Sequence, residues 1–226
     1  MKNKHNIINR IATFVFAIIL GAFAIGSVSA KETNILRMAL LPIPDVLPIY
    51  VAEASGYFKD AGIVVEPLPV GSAMERDQLM QAGRIDGMIN EVGGAALFNR
   101  DKLQMKIVSY ARIPMNQAPL FRVLASPGSN ITKVDELAGV PVAVSRNTVI
   151  EYITRRMLES AGVAKDDIAY ASVPVLPERM QLLLSGQIKA ATLPDPLGFA
   201  ALKAGAIEEV NDLTLPGRSA SVVSFG

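Results

Sequence analysis

Cysteine and tryptophan are absent from this chain of 226 residues, and its one histidine is His5. The missing cysteine excludes disulfides and thiolate chemistry and leaves the redox compartment open. The histidine stands in a segment expected to be removed, so no imidazole remains to bind a metal or shuttle protons near neutral pH. Charge is sparse as well, with Asp, Glu, Lys and Arg making up 19% of residues. No basic stripe is left for nucleic acid, and no nucleic-acid partner is expected. What the chain has is apolar residues, 50% of the total, which is ample for packed cores and argues against disorder.

Residues 1–30 have the grammar of an export signal. Lys2, Lys4 and Arg10 form a basic start, Ile11 to Ile25 is apolar apart from Thr13 and Gly21, and Val28-Ser29-Ala30 offers small residues to a signal peptidase. Cleavage is expected after Ala30. A permanent anchor is the alternative, but the apolar run is short for a spanning helix, and no cysteine is present to carry a lipid. Removing the leader takes three of the 22 basic residues and no acid, so the mature part turns slightly acidic against its 21 Asp and Glu. The expected product is periplasmic or secreted, a monomer, with no stable membrane insertion.

The chain repeats one phrase. Glu75-Arg76-Asp77-Gln78-Leu79 to Gly83-Arg84-Ile85 returns as Glu178-Arg179-Met180-Gln181-Leu182 to Gly186-Gln187-Ile188, with Glu, Arg, Gln, Leu, Gly and Ile in matched places. Each copy reads as a helix stopped by a Gly at C′, where a residue with a Cβ would be strained, followed by a short apolar strand. Such a period is too long for a solenoid and suits two similar α/β lobes in tandem. Arg76 and Arg179 are read here as orienting the surface of the helix.

Strands and helices alternate throughout, which implies parallel βαβ units. Leu36–Leu41 opens the first lobe. A helix follows with Leu47, Tyr50, Val51, Ala54 and Phe58 on one face, behind Asp45 as N-cap. Ser72 with Glu75, and Thr148 with Glu151, form S/T-x-x-E capping boxes. Asp195-Pro196 reads as an N-cap with Pro in the first turn. The domain reading is leader 1–30, lobe one 31–113, a crossing 114–119, lobe two 120–213, and a return crossing with a strand to lobe one 214–226. Ser221–Gly226 has nothing after it to cover that strand, so a C-terminal portion of lobe one is expected to be missing.

Several motifs in this order resemble the nitrate/taurine/sulfonate-type substrate-binding proteins of ABC importers, the SsuA/THI5-like or NMT1-like group. They are Ala54-x-Gly56-Tyr57-Phe58-x-x-Ala61-Gly62-Ile63-x-Val65-Glu66, Gly83-x-Ile85-Asp86-Gly87, Val134-x-Glu136-Leu137-x-Gly139-x-x-Val142-Ala143, and Gly186-x-Ile188-x-Ala190-Ala191 before Asp195-Pro196. The resemblance covers about residues 35–225. It implies a two-lobed type II periplasmic-binding-protein-like fold, each lobe a mostly parallel sheet flanked by helices, with ligand in the cleft and an ABC permease as partner. Enzymes of the THI5 type in this superfamily use a histidine and a cysteine-rich iron motif, which the mature chain lacks. No catalytic residue, metal or cofactor is therefore expected. A sensing domain of the same fold is a further alternative.

In open α/β sheets, ligands sit beyond the carboxyl ends of the strands, where helix N-termini point. That rule selects Pro44, Asp45, Ser72, Ala73, Met74, Asn90, Glu91, Ser145, Arg146, Asn147, Thr148, Asp195 and Pro196. Free N–H groups at helix starts favour a polar or anionic group. Arg146 could grip a carboxylate, sulfonate or phosphate at two points. If two of the acids Asp45, Glu91 and Asp195 face inward, the ligand should carry a positive or hydrogen-bond-donating group. Ser72, Thr148 and Asp195 serve equally well as plain helix caps.

Overall fold

Short runs of Val, Ile, Leu, Met and Ala, each bounded by Gly, Pro or a capping residue, make the strands of this chain. The computed structural model describes residues 34–114, 118–215 and 220–226. The leader at 1–30 and the middle of both expected crossings lie outside the described residues. No helix among the described residues is long and apolar enough to cross a membrane.

The first sheet takes its strands from β1 (Asn34–Leu40), β2 (Ile63–Pro69), β3 (Gly87–Glu91), β4 (Lys106–Arg112) and β10 (Ser221–Phe225), in the order β2-β1-β3-β10-β4. The second uses β5 (Phe121–Ala125), β6 (Pro141–Val144), β7 (Ala169–Ser172), β8 (Ala190–Pro194) and β9 (Ile207–Asn211), in the order β7-β6-β8-β5-β9. The two orders are the same pattern. In each, four strands point the same way, and the strand that enters from the other lobe, β10 or β5, lies antiparallel to both its neighbours. Each sheet is thus mostly parallel in strand direction, as expected, and mixed by one reversed strand, because a chain arriving across the interlobe connection runs against the βαβ direction.

The flanking helices are α1 (Leu47–Ala54), α2 (Tyr57–Asp60), α3 (Ala73–Gln81), α4 (Val92–Phe98), α5 (Val149–Ser160), α6 (Leu176–Leu184) and α7 (Leu197–Lys203). The repeated phrase is α3 in one lobe and α6 in the other. Gly83 and Gly186, just past each helix, have φ of +64° and +77°, the left-handed stop the sequence demands. The buried stripe of α3 is Ala73, Arg76 and Met80, and that of α6 is Leu176, Arg179 and Leu183. Arg76 and Arg179 therefore point into the cores and do not orient a surface. α1 departs from expectation too. Leu47, Tyr50 and Val51 are exposed, while Ile49 and Phe58 pack against Met38 and Leu40. Its sequence is apolar on nearly every side, so periodicity could not choose the inner face.

The largest apolar cluster spans both lobes, from Ala39, Met88 and Met105 to Phe121, Val142, Ile150 and Met157. A second cluster, with Leu124, Leu183 and Leu193, packs α6 and α7 on the second sheet. The outer strand β4 leaves Ile107, Val108 and Tyr110 exposed.

Candidate functional site

The carboxyl ends of β1, β2 and β3 meet those of β6, β7 and β8 where the lobes touch. The Leu176 N–H, at the start of α6, donates to the Gly71 carbonyl across this line at 3.2 Å. Beside it α4 comes so near α5 that a Cβ on Gly93 would lie 3.2 Å from Val149 Cγ2. One cavity, of about 430 Å³, lies between α3, α4 and the loop before α5; it is lined by Met74, Asp77, Gln78, Leu97 and Phe98 from one lobe and Arg146, Asn147 and Thr148 from the other. A second, of about 570 Å³, has Leu41, Ile43, Pro44, Leu47, Tyr50 and Val70 on one wall and Pro196 on the other. The first is half polar and half apolar in its lining, the second mainly apolar.

Of the residues selected from the sequence, Met74, Arg146, Asn147 and Thr148 come together at the first cavity, and Pro44 and Pro196 at the second. The remaining seven line neither cavity. Asp45, in a tight 3₁₀ turn, is buried and pairs with Arg112 Nε at 2.6 Å, so it holds β4 rather than capping a helix. Ser72 caps α3 by accepting from the Glu75 N–H at 3.1 Å, and Ala73 is fully buried beneath it. Asn90 accepts from the Ser224 hydroxyl at 2.8 Å, tying β3 to β10. Glu91 lies 3.5 Å from Arg76 Nη2. Ser145 is buried, accepts from Arg179 Nη2 at 2.7 Å and donates to the Pro174 carbonyl at 3.0 Å. Asp195 takes a two-point grip from Arg122 at 2.8 and 3.0 Å and accepts from the Phe199 N–H, so its cap is subordinate to an ion pair.

Arg146 is less available than the sequence suggests. Its Nε lies 3.1 Å from Glu151, and its guanidinium stacks 5.0 Å from the centre of the Tyr170 ring. Glu151 in turn accepts from the Asn147 N–H at 2.7 Å. The loop before α5 is therefore pinned by its own helix, and the Thr148 hydroxyl caps that helix through the Ile150 N–H at 3.2 Å.

Under the first lobe's end of the cleft lies a buried charge network. Arg76 donates to the Ile89 carbonyl at 3.0 Å and pairs with Asp77 at 2.9 Å as well as with Glu91. Burial holds the Glu91 carboxyl above its ordinary range, and Asp77 and Asp45 add to this against the pull of Arg76. Glu91 raised in the folded state contributes stability that is fully present below an ordinary glutamate pKa and is lost as pH rises through the raised one. Denaturant midpoints measured across weakly acidic to neutral pH should fall with pH more steeply for the wild type than for Glu91→Gln. Parallel profiles would refute the assignment.

Nothing in the sequence pattern points to Gln78, Leu97 and Phe98 as cavity walls, nor to the apolar wall at Leu41, Ile43 and Val70. These lie along helix flanks and strand ends that only the packing of two lobes brings to one space. Arg76 and Arg179 were within reach, since each falls in its helix on a three-and-four-spaced apolar stripe.

A model of the NMT1/THI5-like family matches residues 43–203, more than half of the chain. The chain belongs to the NMT1/THI5-like family. Solved structures agree on the fold. The alkanesulfonate-binding protein SsuA from Xanthomonas axonopodis pv. citri, bound to MOPS, superposes with a TM-score of 0.67 at 18% identity, over 86% of this chain and 66% of that one. The periplasmic aliphatic sulphonate binding protein SsuA from Escherichia coli gives 0.63 at 17%, over 86% and 65%. The ligand binding component of an ABC-type import system from Staphylococcus aureus, with zinc bound, gives 0.67 at 13%, over 85% and 66%. This NMT1/THI5-like chain thus has the two-lobed fold of type II periplasmic binding proteins, and it spans slightly less than two thirds of these proteins' length. A search of the curated proteins finds no match.

Proposed function

We propose that this chain is the solute-binding component of an ABC importer, exported to the periplasm, where it captures a small polar or anionic organic compound between its lobes and delivers it to a permease. One observation carries this reading. Both cavities at the meeting of the two sheets are lined from both lobes, so a bound solute would contact each lobe and favour their approach. The polar cavity, at the start of α5, offers donors to a charged or hydrogen-bonding group. The apolar one suits a carbon skeleton better than a bare inorganic ion. Lobe movement about residues 112–119 and 214–219 belongs to the same proposal, and the role is binding without chemical conversion. Native mass spectrometry of protein purified from periplasmic extract, followed by calorimetry and small-angle scattering with the compound found, tests it. The expected result is a copurified small organic molecule whose rebinding makes the protein more compact. A protein that carries no solute and shows no compaction with any candidate would overturn the reading.

A further inference from the structure

Helix α1 carries more apolar surface than the core accepts. Ile49 and Phe58 join the core on the first sheet, but Leu47 and Tyr50 stay 57% and 45% exposed. Both line the second cavity, the one of about 570 Å³, with Pro196 of the other lobe across from them. Part of the surface they expose is therefore cavity wall, around a space of the size that holds a small organic molecule. The apolar face that the sequence places on this helix is divided between the core and the cleft.

What this wall lacks decides what can occupy it. No lining side chain is charged, and the Tyr50 hydroxyl is its one side-chain hydrogen-bonding group. Pro42, Pro44, Pro69 and Pro196 have no N–H. The Ile43 N–H donates to the Leu41 carbonyl at 2.8 Å, that of Val70 to the Leu40 carbonyl at 3.1 Å, and that of Gly71 to the Glu75 carboxylate at 2.9 Å. Val46 and Leu47 donate within their own turn, to the Ile43 and Pro44 carbonyls. The acid of that turn, Asp45, is buried against Arg112 and stands outside the cavity wall. A sulfonate, carboxylate or nitrate seated here would give up its water for a wall poor in donors, which is costly. A hydrocarbon group gives up only unfavourable contact with water. Resting on the solute-binding reading above, we propose that this cavity takes the uncharged hydrocarbon part of the solute, and that Leu47, Tyr50 and Pro196 determine specificity through its length and bulk. The cavity does not read the charge of the solute's head group.

Calorimetry on the full chain with two matched series of probes tests this: n-alkanesulfonates and the uncharged n-alkyl methyl sulfones, each with methyl, butyl and hexyl chains. Each added methylene should tighten wild-type binding about fourfold, equally in both series, because the gain belongs to the cavity and not to the charge. Leu47→Ser and Tyr50→Ser, both at exposed positions, should cut that gain to about twofold per methylene while the thermal midpoint changes little. Leu47→Met, which keeps the apolar bulk, should preserve it. Methyl and hexyl members that bind alike in the wild type, a gain confined to one series, or an undiminished gain in both serine variants would overturn the role given to the cavity. In each of those cases the probes still bind, so solute binding stands. No binding of either series would overturn the role of the cavity as well, and rebinding of a copurified solute would then show the solute-binding reading intact.

Discussion

Arg76→Met is expected to cost about 3–5 kcal/mol at neutral pH, because it leaves the Glu91 carboxylate buried without its counter-charge. Arg179→Met should cost less, about 2–4 kcal/mol, although it removes more hydrogen bonds. Four acceptors lose their donor in that variant, which is expensive at each buried group. The same change also relieves the chain of an isolated buried cation, and that gain offsets part of the loss. The two variants separate in their pH dependence. Glu91 can take a proton when Arg76 is gone, so the Arg76→Met penalty should shrink in mild acid. Arg179→Met strands no carboxylate, and its penalty should stay level. Urea midpoints at pH 5 and pH 8 would read this. A pH-independent penalty for Arg76→Met, or a penalty under about 1 kcal/mol for either variant, would show that the buried charges are not organised as described.

The duplication behind this comparison was legible in the sequence, since the helix, its glycine stop and the following strand depend on local residues. So were the caps at Ser72 and Thr148, though not the one read at Asp45, with one displacement shared by both lobes. Glu75 reaches past Ser72 to the Gly71 N–H at 2.9 Å, and Glu151 reaches past Thr148 to the Asn147 N–H at 2.7 Å. Each carboxylate thus sits one residue further back than a capping box requires, closing the loop before the helix. The roles of the acids were not legible. Asp45, Glu91 and Asp195 stand where a ligand would be expected, yet each is committed to an arginine from a distant strand or helix: Arg112, Arg76 and Arg122. Only tertiary pairing reveals that.

Asp195 shows the consequence most directly, through Arg122→Met. Arg122, on β5, grips Asp195 at the end of β8 and also pairs with Glu208 on β9, so one guanidinium ties three strands of the second sheet. Glu208 is steadied further by Asn211 Nδ2 at 2.7 Å. Removing the guanidinium leaves two carboxylates facing one another at a largely buried position, and a loss of about 2–4 kcal/mol is expected, the lower part of the range for a broken buried pair because Glu208 keeps some solvent. If repulsion between the acids is the cause, Arg122→Met combined with Glu208→Gln should recover about 1 kcal/mol or more relative to Arg122→Met alone, while Glu208→Gln by itself costs little. A cycle with no such coupling would mean that Arg122 acts through the packing of its aliphatic stem.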